Sequence, residues 1–517
     1  MDSMSELDPG APAQPARPVD VQNGMNQVDR RTFLRLAGVS AAGAVATACS
    51  SGGTPIPAST TSAAPLAAAP PSPSGLSAAP PNWDTLRSKL AGSLIRPGDA
   101  DYTTAKRAFN TLFDNRKPIA VARVASADDV QACVGATAGR VSIAARSGGH
   151  SYAGYSNPEG GLIVDVGALS RIEVKGNQVV IGAGARLKDV YAALAKAGRS
   201  LPAGSCPTVG IAGLTLGGGI GVLSRKYGLT CDHLVSAQVV TADAKLRTAS
   251  ATEEGDLYWA LRGGGGGNFG IVTSFTFDTD PAPNVTAFSL RFPAAAAADV
   301  LAAWQQWVPA MIPELWSNLV LSGGSPVQCR VGGCYVGGVS GLNTLLNNLV
   351  ANAGATPTSR TVRSLDYAGA MKYFSGSEAR QSFVASSRMI TAPVDAAKVT
   401  GLMTGRAGMD LLIDSLGGAV GDRAKGDTAF WHRDALASVQ IYAPANTKNA
   451  DDVTKSVGDV VAGLAAAGAG GGYVNYIDPA LPDWMSAYYG DNVPRLKQVA
   501  LAVDPHNVFR FGQGVQG

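Results

Sequence analysis

The chain reads as an α+β protein of two lobes, on three observations. Between Ile119 and Phe277, short strands and amphipathic helices alternate with brief connections, the mark of a mixed lobe. From Pro281 the style changes to alternating strands separated by helical stretches, as in an antiparallel sheet covered by helices on one face. Residues 83–517 are also long enough for two substantial lobes. These changes of style divide the chain into 83–279 for the first lobe, 280–465 for a second, and 466–517 for a C-terminal segment.

What precedes residue 83 is excluded from the fold. Arg30-Arg31-Thr32-Phe33-Leu34-Arg35 is a twin-arginine pattern, followed by an Ala- and Gly-rich apolar run from Leu36 to Ala48. That run falls short of the roughly 20 apolar residues of a membrane-spanning helix, so residues 1–49 read as an export signal. Cys49 is then a candidate lipobox cysteine, which predicts a lipid anchor on the outer face of the cell membrane, or a secreted or periplasmic protein without it. Residues 50–82, rich in Ser, Ala and Pro, read as a disordered tether.

In the first lobe, Ile119 to Val124 predicts a strand and Ala127 to Ala138 a helix. Val141 to Ala145 and Gly161 to Val166 are further strands, and 172–174 with 178–182 form a hairpin around Lys175-Gly176-Asn177. Leu187 to Ala197 is an amphipathic helix stopped by Gly198. Leu234 to Ala242 is strand-like, Glu253 to Arg262 helical, and Ile271 to Phe277 a strand. Gly265 to Gly270 satisfies G-x-G-x-x-G, but a helix precedes it and a strand follows, the reverse of a Rossmann phosphate site. The second lobe offers strands at 287–292, 318–322, 328–336 and 438–442, and helices at 294–308 and 342–353.

The chemistry concentrates in two glycine-rich segments. One is Arg146-Ser147-Gly148-Gly149-His150-Ser151; the other runs from Gly204-Ser205-Cys206-Pro207-Thr208-Val209-Gly210 to Gly217-Gly218-Gly219-Ile220-Gly221. A tight glycine turn aims backbone N–H groups into one concavity, which suits a pyrophosphate. An imidazole and a thiolate beside it are the side chains best able to bond an electrophilic isoalloxazine ring. Either segment alone is compatible with a plain turn; together they point to a flavoenzyme. The other cysteines (133, 231, 329, 334) read as small buried hydrophobes, no His/Cys cluster supports a metal, and a +3 charge without a basic block argues against nucleic acid as a partner.

From about Arg116 to the end, these segments resemble, in order, the FAD-linked oxidases with a p-cresol-methylhydroxylase (PCMH) type flavin domain, in their berberine-bridge-enzyme-like and oligosaccharide-oxidase branch. Asp256 to Arg262 running on to Val272, Tyr473-Val474-Asn475-Tyr476, and Asp504 to Phe509 complete the resemblance. Ala244 departs from it, since a glycine often follows the aspartate there.

The resemblance implies a two-lobed PCMH-type FAD-binding fold in which the C-terminal segment returns to the flavin domain and the substrate domain is inserted. It implies FAD held bicovalently, by His150 at the 8α-methyl carbon and Cys206 at C6. Arg146, Ser147, Gly148, Gly149 and Ser151 are expected around the first anchor. Val209, Gly210, Gly213, Gly217, Gly218, Gly219 and Gly221 are expected around the second, with Gly270, Ile271, Val272 and Asn475 as further cofactor contacts. Tyr476 is the implied catalytic base. A free tyrosine has a pKa near 10, so Tyr473 and Arg433 are candidates to assist it. Val209, three past Cys206, is a small residue that in related enzymes goes with dioxygen access.

The resulting expectation is an exported oxidase that takes a carbohydrate or other secondary alcohol and yields hydrogen peroxide. A secondary-metabolite tailoring oxidase and a dehydrogenase with a non-oxygen acceptor are the alternatives, and a catalytically silent binding lipoprotein is a third. Trp304, Trp307, Trp316, Trp431 and His432 are candidates for a sugar-stacking wall, although such residues more often belong to cores.

Overall fold

The computed structural model describes residues 81–137 and 139–517, so the export signal, Cys49 and the tether lie outside the described residues. Its first sheet contains β1 (Ser93–Ile95), β2 (Ala120–Arg123), β3 (Ile143–Arg146) and β4 (Leu162–Asp165) in the order β1-β2-β4-β3. The last three run parallel. Of these, β2 and β4 are buried on both faces over their first three residues, hence continuously apolar there rather than alternating. The helix Ala127–Thr137 covers this sheet, and its buried Asp129 accepts N–H groups from Ala91, Gly92 and Ala125 at 2.8–2.9 Å.

A second sheet holds β5 (Ile172–Lys175), β6 (Gln178–Gly182), β8 (Leu234–Val240), β9 (Leu246–Ser250) and β10 (Ile271–Asp278), in the order β5-β6-β10-β8-β9 and all antiparallel. The predicted hairpin turns at Gly176, whose φ of +62° suits glycine. The helix predicted over 253–262 is only Gly255–Ala260, because Glu254 before it adopts a left-handed conformation. Ala244, the departure noted above, also sits at φ +60°, where a glycine would be unstrained. A two-stranded clip, β7 (Arg199–Ser200) with β11 (Asp280–Pro281), closes the lobe where the chain leaves it.

The inserted lobe is one seven-stranded antiparallel sheet: β12 (Val285–Phe292), β13 (Leu315–Ser322), β14 (Gln328–Tyr335), β15 (Ser359–Leu365), β16 (Phe383–Ile390), β17 (Asp410–Ser415) and β18 (Ala437–Pro444), ordered β15-β12-β14-β13-β17-β18-β16. One face carries Leu319, Leu411, Ile413, Val439 and Ile441 into a core shared with the helices Ala297–Ala310, Val339–Ala353 and Ala450–Ala466. The other face looks toward the first lobe. Cys329 and Cys334 fall on opposite faces of β14 and are both buried. Their thiols, like those of Cys133 and Cys231, are pushed up to about 12 by burial, as inert packing thiols should be.

The C-terminal segment touches both lobes. Gly470 bridges to Met389 of β16, after which the helix Val493–Val503 packs on the first lobe, with Arg495 paired to Asp256 at 2.7 Å. Asp504, fully buried, accepts the N–H groups of Val508 and Phe509 and so turns the final residues back along that lobe.

Candidate active site

β3 delivers its C-terminal end to the interface of the lobes, and the loop that follows meets the Cys206 loop backbone to backbone. A Cβ on Gly148 would stand 2.3 Å from the amide nitrogen of Gly210, and one on Gly210 would stand 2.0 Å from Ser147 Oγ. The two glycine segments are therefore interlocked parts of one wall. His150 is fixed within it: its ring stacks on Phe109 at 3.8 Å, and Nε2 lies 2.9 Å from Thr208 Oγ1. Cys206, two residues before Thr208, lines the same cavity.

That cavity has a volume of about 1630 Å³ and is bordered by both lobes. Of the predicted cofactor contacts, Ser147, Gly148, Gly149, His150, Ser151, Cys206, Val209, Gly210, Gly213, Gly221, Gly270, Ile271, Val272 and Asn475 line it. Arg146 does not: it is buried against Asp165 at 2.7 Å and the Ala105 carbonyl, joining β3 to β4. Gly217, Gly218 and Gly219 do not line it either. They are close-approach glycines, where a Cβ would meet Asn475, Phe430 and Thr230. Their turn instead presents the N–H groups of Gly219 and Ile220 to the Tyr473 hydroxyl, at 3.0 and 3.2 Å.

This contact defines what Tyr473 does. Its oxygen also accepts from Asn475 Nδ2 at 2.9 Å, and burial pushes its pKa up to about 12 against those donors. These bonds tie the Tyr473 hydroxyl to the glycine turn and to Asn475 beside the cavity. Ser387 on β16 brackets the same residue, accepting its N–H at 2.9 Å. Tyr476 follows at the cavity edge, with Tyr473 edge-on at 4.9 Å and Tyr152 stacked on it at 5.4 Å and 8°.

Opposite stands the face of the seven-stranded sheet that is turned toward the first lobe. The register sets Asp410 beside Tyr442, Leu412 beside Gln440, and Asn318 beside Asp414. All six line the cavity, together with Trp316, Phe374, Gln381 and Phe383. Gln440 donates to the Tyr152 hydroxyl at 2.5 Å, and the Tyr442 hydroxyl donates to Gln381 Oε1 at 2.6 Å. The sequence reading missed these polar residues and Thr208. The signal was present in Ser438-Val439-Gln440-Ile441-Tyr442, whose alternation puts three polar side chains on one face.

Several expected helpers lie elsewhere. Arg433 makes two 2.8 Å bonds to Asp232 and lines no part of the cavity. Burial works to raise the Asp232 pKa, but the hydrogen bonds and charge of Arg433 outweigh it and hold the carboxyl below its usual value. Of the proposed sugar-stacking wall only Trp316 reaches the cavity. Trp304 donates to Ser317 Oγ in the core, Trp307 is buried, and Trp431 and His432 border a separate small pocket.

A large dinucleotide fits these residues. The cavity exceeds the roughly 300–1,000 Å³ of ordinary ligand pockets, leaving room for a cofactor and a substrate. A Cβ on Gly213 would meet no protein atom within 4 Å, and one on Gly266 only Leu216 at 3.9 Å, so side chains there would project into cofactor space.

Comparison with known proteins gives this fit a class. Residues 118–250 match the FAD binding domain family and residues 472–516 the family of berberine and berberine-like proteins. The chain is 34% identical to the uncharacterised FAD-linked oxidoreductase YgaK of Bacillus subtilis (strain 168), over 83% of this chain and 98% of that one. It is 31% identical to a chitooligosaccharide oxidase of Gibberella zeae, over 81% and 92% respectively. The solved structure of BBE-like 1 from Physcomitrella patens superposes with a TM-score of 0.79 at 32% identity, covering 84% of this chain and 98% of that chain. The fold is thus the two-lobed PCMH-type fold, and the protein is an FAD-dependent oxidoreductase. It belongs to the berberine-bridge-enzyme-like family of FAD-linked oxidases.

Proposed function

We propose that this enzyme is an exported, lipid-anchored oxidase that oxidises an alcohol group of a carbohydrate on bicovalently held FAD and passes the electrons to dioxygen, giving hydrogen peroxide. Supporting this reading is a single cavity with His150 and Cys206 on one wall, Tyr476 at its edge and a polar sheet face opposite. Planar amides, carboxylates and a phenol interspersed with Trp316 and Phe383 suit a ligand with many hydroxyls and apolar ring faces. The similarity to a chitooligosaccharide oxidase points the same way.

In this reading His150 and Cys206 fix the ring at its 8α carbon and C6, and Asn475 contacts it. Bound FAD supplies the two-electron acceptor. Tyr476 takes the substrate hydroxyl proton at its phenolic oxygen, its ring oriented by Tyr152 and Tyr473. Gln440 and Tyr442 orient the substrate hydroxyls. Val209, small and at the cavity surface, leaves the approach open to dioxygen.

The test is a panel of oligosaccharides, simple secondary alcohols and alkaloid-like compounds added anaerobically to the purified yellow protein. Bleaching by saccharides, followed by stoichiometric peroxide on admitting air, is expected. Bleaching only by the non-sugar compounds would overturn the substrate class, and reoxidation by quinones but not by air would overturn the acceptor. Intact mass after denaturation reads the attachment, and loss of membrane association in Cys49→Ala reads the anchor.

A further inference from the structure

We propose that Thr208 is a positioning residue for flavin attachment: its hydroxyl holds the imidazole proton on Nε2 of His150, so that the lone pair for the bond to the 8α carbon lies at Nδ1. The inference rests on the reading above that His150 carries the flavin.

Two of its contacts fix the histidine. The Phe109 ring lies against it at 3.8 Å with an interplanar angle of 19°, and Thr208 Oγ1 meets Nε2 at 2.9 Å. A ring stacked on one face and pinned at one nitrogen keeps little rotational freedom. The threonine is itself fixed, being 7% exposed. The carbonyls on either side of it are tied to the start of the helix Leu187–Lys196: Pro207 accepts from Lys188 and Val209 from Leu187, at 3.1 and 3.0 Å. The approach of the Gly148 and Gly210 backbones then sets the spacing between the two loops. The contact is therefore built into the wall rather than left to a surface rotamer.

Such a contact favours the chemistry. An imidazole attacks in its neutral form, with one N–H and one lone pair, and the hydrogen bond at one nitrogen decides which site carries which. A hydroxyl oxygen that accepts from Nε2–H commits the lone pair to Nδ1. In the attachment step Nδ1 forms the N–C bond, and the 8α carbon loses one C–H bond. The proton on Nε2 leaves once the ring is alkylated. Two protons and two electrons are thus removed in all, and dioxygen, as the oxidant, takes them up as hydrogen peroxide.

The test isolates the histidine bond by removing the other one. In C206A the denatured protein should retain one FAD by intact mass and in-gel fluorescence. In C206A/T208V, of nearly the same shape without the hydroxyl, covalent flavin should form about 10–100-fold more slowly, the range for losing a group that orients a histidine. FAD should still bind non-covalently, as native absorbance will report, and C206A/T208S should restore attachment. Equal rates of attachment in C206A and C206A/T208V overturn the inference and leave the His150 link standing. A C206A protein with no attached flavin overturns that link and the inference with it. If the double variant does not accumulate, peptide mapping of T208V alone decides: flavin on the Cys206 peptide only supports the role, and flavin joining both peptides refutes it.

Discussion

The two walls of the cavity are built by opposite means. The flavin wall is made of backbone: loops packed so closely that Gly148, Gly210 and Gly221 cannot carry a Cβ without meeting other main-chain atoms. The facing wall is made of side chains, alternate residues of β13, β17 and β18 projecting from a sheet whose other face is core. A backbone wall tolerates no change but serves any enzyme with the same cofactor. A side-chain wall can be rewritten residue by residue without disturbing the sheet. The difference teaches that cofactor and substrate recognition answer to different physical constraints, and each prediction below probes one wall or the join between them.

Tyr476, at the meeting of the walls, should give the largest effect. Tyr476→Phe removes the phenolic oxygen and keeps the stacking on Tyr152, so kcat should fall by ~10²–10⁴ while covalent flavin is unchanged. Wild-type turnover in this variant would show that the proton goes elsewhere.

The join itself depends on a buried charge pair. Asp232 belongs to the flavin lobe and Arg433 to the inserted lobe, and their side chains are 3% and 2% exposed. Asp232→Asn leaves the guanidinium buried without its counter-charge, at a cost of about 3–5 kcal/mol. Denaturant unfolding should register that loss. A change under 1 kcal/mol would mean that this pair contributes little and that the other contacts between the lobes, such as Lys226 with Glu314, carry the join.

His432 sits behind the segment that carries Tyr473 and Tyr476, a Cβ on Gly471 standing 2.7 Å from its ring. Burial lowers its pKa from 6.5 to about 4, and bonds to backbone groups of Ala487 and Gly472 offset this only in part. Between those values the unfolded chain binds a proton that the native state refuses, so stability must drop as pH falls through 6.5 toward 4, by about 3 kcal/mol in total. His432→Gln should show a flatter acid limb in thermal unfolding; parallel curves would contradict the assignment.

On the flavin wall, Gly210→Ala forces a methyl group onto Ser147 and the Gly148 backbone. Overpacking of this kind costs about 1–3 kcal/mol. Because it spreads the two anchor loops, the share of covalently attached flavin should fall along with Tm. Full attachment at unchanged Tm would mean that the loops are not locked as described.

This contrast also explains what could be read from the sequence. A close backbone approach demands glycine, and runs such as Ser147-Gly148-Gly149 and Gly217-Gly218-Gly219 are conspicuous in any sequence. Their presence was legible but their purpose was only partly so, since Gly217 to Gly219 serve packing against Asn475, Phe430 and Thr230. Strands β12, β13, β14 and β18 were legible from alternation. β17 was not, because Leu412 on the cavity face falls between Leu411 and Ile413 on the core face, so its apolar residues run together instead of alternating. The polar face opposite the glycine wall escaped for a different reason: Asp410 and Asp414 become neighbours of Tyr442 and Asn318 only through the register of a long-range sheet.

The smallest effect belongs to that wall. Tyr442 stacks on Phe383 at 4.8 Å, and its hydroxyl reaches Gln381. Phenylalanine at 442 keeps the ring and loses one hydrogen bond, worth about 0.5–1.5 kcal/mol. If the sheet face recognises substrate, that loss should appear as a roughly 2–10-fold rise in KM with kcat nearly unchanged, the signature of binding shared equally by ground and transition states. Covalent flavin should match wild type and Tm should fall only by what the bond to Gln381 contributes, which separates this wall from the glycine wall in one protein. A fall in kcat at constant KM would instead place Tyr442 in the chemistry and make the two walls less distinct than their construction implies.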